Sequence, residues 1–201
     1  GAVMGAVLVT GGAGFIGSHL VDRLLAEGYQ VSCVDNLVLG RMEHLALAQE
    51  NPAFSLREFV LLDLDELDGL FASEGFDTVF HLAANSDIRE GTRSTRRDLE
   101  LTFLTTFNVL ECMRRYGVRQ LLFTSSPAVF GQHDGPLEED SVARPESLYG
   151  ASKLASEAFI AAFSGLYEIQ VWLCRLSNIV GERSTHGILF DFLNKLDSDP
   201  E

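Results

Sequence analysis

Nowhere in these 201 residues does an apolar run approach the ~20 positions that a helix needs to cross a bilayer. The start does not read as a signal peptide, because it lacks a charged leading region and its glycines interrupt the apolar stretch. Gly1, Ala2 and Val3 stand ahead of Met4 and are set aside as an expression scar. Cysteine is scarce. Cys33, Cys112 and Cys174 are odd in number and far apart, which excludes a disulfide framework or a zinc site and points to a reducing cytoplasm. The histidines are scattered without HExxH or paired spacing, so no metal is expected. Basic side chains are in short supply, 15 against 29 acidic ones, for a net charge of −14. A surface of that sign repels nucleic-acid phosphates, so any phosphate ligand needs a local site. Repeats, low-complexity tracts and long linkers are missing too.

What the chain does have is apolar material, 46% of its residues, enough for one buried core. Short apolar runs alternate with longer amphipathic stretches. Strands are expected near 6–10, 30–35, 54–61, 77–82, 119–124 and 169–174, with helices near 15–27, 41–49, 66–74, 95–116, 149–165 and 187–196. Leu121-Leu122-Phe123 and Val171-Trp172-Leu173 are apolar at consecutive positions, the pattern of strands covered on both faces. Such alternation predicts an α/β fold, a doubly wound parallel sheet with right-handed crossovers. A single domain is expected over 4–196, followed by a polar tail at 197–201. The longest expected loop, 125–148, is rich in proline and glycine, and loops of that length are often functional.

The stretch TGGAGFIG spaces Gly11, Gly14 and Gly17 three apart where a strand meets a helix. In a dinucleotide-binding turn one glycine permits the bend, another lets the backbone approach a pyrophosphate, and a third allows close helix–strand packing. The spacing is GxxGxxG rather than GxGxxG, and alone it describes a turn. Asp35, 18 residues after Gly17 in VSCVDN, strengthens it. An acid ending the second strand accepts both ribose hydroxyls of an adenosine and repels a 2′-phosphate, which favours NAD over NADP.

A second cluster lies further on. SLYGASKLASEAFI puts Tyr149 and Lys153 four apart at a helix start, hence on one face. Tyrosine titrates near ~10 and is a poor base at neutral pH; an adjacent ammonium and a cationic nicotinamide would lower that value. Thr124, Ser125 and Ser126 end the preceding strand, where hydroxyls point into the ligand crevice.

Together TGGAGFIGSHL, VDNL, HLAAN, SSxxVFG, YGASK and CRLSNIVGERSTHG resemble the motifs of the extended short-chain dehydrogenase/reductase family, specifically its nucleotide-sugar epimerases of the UDP-galactose 4-epimerase type. The resemblance runs from about Gly5 to Leu196. It implies a Rossmann sheet, a bound NAD, a nucleotide-sugar substrate (UDP-glucose/UDP-galactose) and a homodimer. By that resemblance Gly11, Gly14, Phe15, Ile16 and Gly17 hold the pyrophosphate, Asp35, Asn36 and Leu37 surround the adenine ribose, and Asp63 and Leu64 flank adenine. Leu82, Ala83, Ala84 and Thr124 line the cofactor. Tyr149 is the implied acid/base, Lys153 binds the nicotinamide ribose and tunes Tyr149, and Ser126 shares the substrate proton. Asn85 and Asn178 meet the sugar or its diphosphate. The implied reaction is transient oxidation at C4 to a 4-keto sugar, followed by hydride return to the other face.

The sequence departs from the family in places. Pro127 and Ala128 stand where related dehydratases and decarboxylases carry an acid, which argues for epimerisation or simple oxidoreduction. Phe130 replaces a tyrosine but keeps the ring. Leu101, Thr102 and Thr105 replace the Asn, Asn and Gly of DNNVxGT, with Thr102 as a partial substitute. The C-terminal substrate lobe is expected to be absent or truncated. The alternatives are a nucleotide-sugar dehydrogenase or reductase and a non-catalytic NAD-binding module. Among the remaining residues, His81 is expected to be structural, Trp172, Phe159 and Phe163 core, and Cys33 and Cys174 inert packing in buried strands. The arginine-rich run 89–97 reads as a solvated face. Leu99, Phe103, Val109 and Leu110 on the 95–116 helix, with 149–165, would supply a dimer interface.

Overall fold

A computed structural model describes residues 4–85, 93–133 and 135–185, together with positions 190, 192, 195 and 196. The apolar runs become six strands: β1 (Ala6–Thr10), β2 (Gln30–Asp35), β3 (Phe54–Glu58), β4 (Thr78–His81), β5 (Gln120–Ser125) and β6 (Gln170–Arg175). All pair in parallel, in the order β3-β2-β1-β4-β5-β6. The chain therefore winds outward twice from β1, and the crevice opens between β1 and β4, at the carboxyl ends of the strands.

The crossovers are α1 (Phe15–Ala26), α2 (Ala46–Gln49), α3 (Leu64–Ser73), α4 (Thr95–Asp98), α5 (Thr105–Tyr116) and α6 (Leu148–Tyr167). Alternation along β1 sorts the two cores. Val7 and Val9 pack with Val31, Cys33, Val21, Leu24 and Leu45 on one face. Leu8 joins Val79, Leu121, Phe123, Leu110 and Ile160 on the other. Both faces of the central strands are thus dry, as a parallel sheet requires. Among the described residues, no helix is long and apolar enough to cross a membrane.

Several expectations need correction, among them Val109 and Leu110, which are buried core rather than surface for a dimer interface. The consecutive apolar residues of β6 do not mark a covered strand: β6 lies at the sheet edge, Trp172 is 44% exposed, and Leu173 is exposed with it. Cys174 is accordingly half-buried, whereas Cys33 is fully buried. Phe159 is also surface, 42% exposed, although it takes the edges of Phe103 and Phe107 at 5.0 and 5.9 Å; Phe163, one turn on, is core. Finally, the 95–116 helix is not one α-helix. Leu99–Leu104 form a π-helical segment between α4 and α5, and such insertions concentrate at functional sites. Most of the expected 187–196 helix, and Arg89 in the arginine-rich run, lie outside the described residues.

A chain of hydrogen bonds ties the strand ends together. Thr10 Oγ1 accepts from the Leu82 and Ala83 N–H groups, both at 3.2 Å, so its hydroxyl proton goes to His81 Nδ1 at 2.6 Å. His81 Nε2 then donates to Thr106 Oγ1 at 3.0 Å, and Thr106 donates to the Thr102 carbonyl at 2.6 Å. Every proton has one direction, which selects the neutral Nε2–H tautomer. Burial, helped by the nearby Lys153 charge, pushes the imidazole down to about 3 from 6.5. His81 is structural, as expected.

Between those two values the unfolded chain binds a proton that the folded chain refuses, so stability should fall as pH drops from 6.5 toward about 3. Urea unfolding midpoints across this window should decline less steeply for His81→Gln than for wild type. Equal slopes would mean that His81 does not set the acid lability.

Candidate functional site

Thr10 pairs with Val34 of β2 and with His81 of β4, so the turn after β1 lies where the strand order reverses. Its glycines have separate reasons. Gly11 has φ +70°, and a Cβ there would come within 2.8 Å of the Ala83 nitrogen. A Cβ on Gly17 would run into the Gly11 carbonyl oxygen, and one on Gly12 into the Cys33 sulfur. Gly14 differs. Its φ of −74° suits any residue, and an added Cβ would meet only the Gly11 carbonyl oxygen, at 3.3 Å. The fold has little need of glycine there; what its missing side chain leaves open is the approach to the α1 N-terminus. Among the described residues no side chain caps that terminus, and no acid sits in its first turn. The Phe15, Ile16 and Gly17 N–H groups therefore have no intrahelical acceptor, and the positive end of the helix dipole lies beside them. That is a cradle for a phosphate.

Asp35 ends β2 next to it. Its Oδ2 accepts from Ala13 N and its Oδ1 from Leu37 N, each at 2.9 Å. A carboxylate has about four acceptor positions, so these bonds leave capacity for a further donor such as a ribose hydroxyl. Burial raises its pKa, and the Leu37, Ala13 and Asn36 N–H groups oppose that rise. Leu37 adopts a left-handed φ of +54°, at a cost of about 1–2 kcal/mol for a residue with a Cβ, which its bond to Asp35 helps to offset. Asn36 closes a small turn by accepting from Val38 N at 3.2 Å. Gly40 brings the returning loop against this carboxylate, where a Cβ would sit 2.7 Å from Asp35 Oδ1.

The ends of β3 and β4 reach the same edge. Asp63 caps α3 by accepting from Glu66 N at 3.2 Å, and Leu64 beside it is exposed. Leu82, Ala83 and Ala84 leave β4 half-buried. Asn85 does not present itself to a sugar in this conformation. It is only 2% exposed; its Nδ2 donates to buried Asp98 Oδ1 at 2.9 Å and its backbone N–H to Thr102 Oγ1 at 3.1 Å. Asn85 is a tether between β4 and the π-helical segment, and Thr102 supplies an acceptor where the family pattern has an amide.

The third component comes from β5 and α6. Ser126 caps a short 3₁₀ turn, Pro127–Val129, by accepting from Ala128 N at 3.2 Å. Ser147 caps α6 through Gly150 N at 3.0 Å. A Cβ on Gly150 would strike the Ala128 carbonyl oxygen, so glycine lets the first turn of α6 lie against that 3₁₀ turn. This close approach brings the Tyr149 phenol near the Ser126 hydroxyl, which favours the ionised phenol. Lys153 is buried. Its Nζ donates to the Thr124 carbonyl at 2.5 Å and lies 4.6 Å from the Phe123 ring centre and 5.9 Å from that of Tyr149. Asn178 follows β6 at the same edge and is exposed.

The electrostatics depart from expectation. Burial raises the Tyr149 pKa above 10; Ser126 opposes the rise and the Asp98 charge adds to it. Lys153 itself is brought down to about 7 by burial, with Glu157 pulling it back up. With burial disfavouring its charge and one of its protons given to Thr124, Lys153 does not make the phenol acidic by itself.

Several functional candidates escaped sequence reasoning. Asp98 was hidden by the π-helical segment, which breaks the α-helical phase, whereas Thr102 was already expected to stand in for an amide. Gly150 was visible within YGASK, but its contact with Ala128 was not. Glu157 had a usable signal, since the four-residue step from Tyr149 to Lys153 continues to it.

The chain is similar to known proteins in sequence and in fold. A sequence model of the family described as NAD dependent epimerase/dehydratase matches residues 7–199. A putative UDP-glucose 4-epimerase of Methanocaldococcus jannaschii is 36% identical over 198 residues, covering 94% of this chain and 62% of the relative. A crystal structure of a UDP-galactose 4-epimerase superposes with a TM-score of 0.87 at 41% identity, covering 98% of this chain and 64% of the other. The Thermus thermophilus UDP-glucose 4-epimerase in complex with NAD gives 0.84 at 34% identity, over 90% and 58%. The chain thus spans less than two thirds of the length of each.

The glycine assignments are separable. Gly17→Ala should lower the urea midpoint by about 1–3 kcal/mol of stability, because its methyl group meets backbone. Gly14→Ala should cost clearly less and instead weaken binding of an adenine dinucleotide in calorimetry. Equal destabilisation with unchanged binding would reduce Gly14 to a turn residue.

Proposed function

The chain belongs to the NAD dependent epimerase/dehydratase family, and from that premise we propose that it holds NAD and takes part in C4 epimerisation of a nucleotide sugar, UDP-glucose/UDP-galactose being the pair favoured by its relatives' names. The observation that carries this reading is the gathering of Ser126, Tyr149 and Lys153 at the strand edge that also bears the glycine turn and Asp35. The donor set suits NAD. An uncapped helix N-terminus beside Gly14 suits a pyrophosphate, and the Asp35 carboxylate suits a ribose hydroxyl while repelling a 2′-phosphate. Asp63, Leu64, Leu82, Ala83, Ala84 and Thr124 would complete the walls.

NAD held there would supply a reversible hydride acceptor and a positive charge. Tyr149 would take the proton of the sugar 4-hydroxyl during oxidation at C4. Ser126 donates to the phenolate oxygen and shares the proton in transit. Lys153 anchors a ribose hydroxyl and contributes its ammonium charge. Tyr149 would return the proton to the same oxygen as the opposite epimer forms. Asn178 would meet the substrate, while Asn85 serves the site through Asp98. Pro127 and Ala128 offer no side-chain proton for dehydration.

The half-exposed faces of Leu99 and Phe159 would pair with a second copy in a homodimer, and three unpaired cysteines suit a reducing cytoplasm.

Purified protein should interconvert UDP-galactose and UDP-glucose, and Tyr149→Phe should slow it by about 10²–10⁴-fold. Unchanged turnover in that variant sinks the assignment, and NADH released in step with product would favour a dehydrogenase. The phenolate absorbance of Tyr149 should emerge above pH 10 in the free protein and at lower pH once NAD⁺ is added. No movement on adding NAD⁺ would remove the proposed role of the cofactor charge.

A further inference from the structure

Tyr149, Lys153 and Glu157 follow one another at four-residue steps along α6 and so form one stripe. Glu157 is 6% exposed and is gripped from β6: Arg175 Nε donates to its Oε1 at 3.0 Å and Arg175 Nη2 to its Oε2 at 2.7 Å. The fork is fixed in turn. Its Nη1 donates to the Glu139 carbonyl at 2.7 Å, and the guanidinium lies 4.7 Å over the Phe130 ring. A two-pronged contact of this kind sets the orientation of a carboxylate, which a lysine could not do. It joins three segments to the catalytic helix: β6, the loop through Glu139, and the turn ending at Phe130.

We propose that Glu157 and Arg175 are positioning residues for the Tyr149–Lys153 pair: the Arg175 fork holds the Glu157 carboxylate one turn beyond Lys153, and that fixed anion keeps Lys153 charged and seated on the Thr124 carbonyl. The surroundings of Lys153 contain few alternatives. From β5 it meets the Phe123 ring and the Thr124 carbonyl. From β4 it faces His81, which stacks on Phe123 at 5.7 Å and is neutral. On α6 its neighbours are Tyr149 and Glu157; Asp98 of α4 acts on Tyr149, and Arg175 of β6 stands behind Glu157. Burial draws the ammonium down to about 7, and Glu157 is the charge that opposes it. The consequence for catalysis rests on the epimerase reading, but the electrostatic claim does not.

The sequence makes the test direct, because Lys153 and Lys195 are its only lysines. With ¹³C-lysine labelling, the two side-chain Cε signals can be titrated in the full chain without cofactor or substrate, Lys195 serving as the reference. Glu157→Gln should lower the Lys153 midpoint by about one pH unit, a tenfold change in its acid constant. Glu157→Asp should recover part of that shift. Arg175→Lys, which keeps the positive charge but loses the two-pronged grip, should also lower the midpoint, its added signal being told apart by comparison with wild type; it serves as the second variant should Glu157→Gln fail to fold. An unmoved Lys153 midpoint in Glu157→Gln overturns the proposal, and an unmoved or raised one in Arg175→Lys overturns the positioning role of Arg175. In an active enzyme, the high-pH limb of kcat should move down by the same amount in Glu157→Gln. The expected titration shift in a protein that epimerises nothing would uphold this inference and remove the functional reading instead.

Discussion

A primary amine buried at the end of a parallel sheet is the constraint on which the site depends. Lys153 has exchanged water for one carbonyl, one aromatic face and the field of a carboxylate held by an arginine. A buried ammonium is tolerated only when its protons are accepted and its charge is answered. Each partner here comes from a different element: Thr124 from β5, Glu157 from α6, Arg175 from β6. The seat of the amine is therefore a product of the assembled sheet, and the position of Tyr149 one turn earlier on the same helix follows from it.

Beside this charged cluster runs an uncharged one. The Thr10–His81–Thr106–Thr102 chain crosses from β1 through β4 to the π-helical segment with every proton directed. It keeps a titratable ring neutral within reach of an ammonium, where a second positive charge would be costly. The same segment supplies Thr102 to Asn85, and Asn85 holds Asp98. A carboxylate is thereby kept near the phenol, which raises the energy of the phenolate. The free protein thus holds Tyr149 protonated. A cationic ring in the crevice would reverse that balance, so the base would come into being only with its cofactor in place.

The glycine turn divides in a comparable way between fold and ligand. Gly11, Gly12 and Gly17 answer steric demands internal to the protein. Gly14 answers almost none, and that contrast, more than the count of glycines, supports a phosphate cradle over a simple turn. Residues that the fold does not require are the ones whose identity has to be explained by something bound.

Much of this was legible in the residues because it is local. Strand–helix alternation, the glycine spacing, the acid ending β2, and the four-residue step from Tyr149 to Lys153 depend on backbone period and side-chain type, which a sequence carries directly. Other features were not, since they depend on what lies opposite. Consecutive apolar residues in β6 look like those of β5, yet only position in the sheet separates an edge strand with Trp172 exposed from a covered one. Asn85 looked like a sugar contact until Asp98 and Thr102 stood against it, and the π-helical segment that brings them there leaves no mark in the hydrophobic pattern. The direction of the Tyr149 shift was decided in the same way, by burial and by a carboxylate fifty-one positions earlier in the chain. Spacing determined which groups this protein has to work with; packing between distant segments decided which are charged, which are dry and which can meet a ligand, because desolvation and Coulomb energy depend on distance in space.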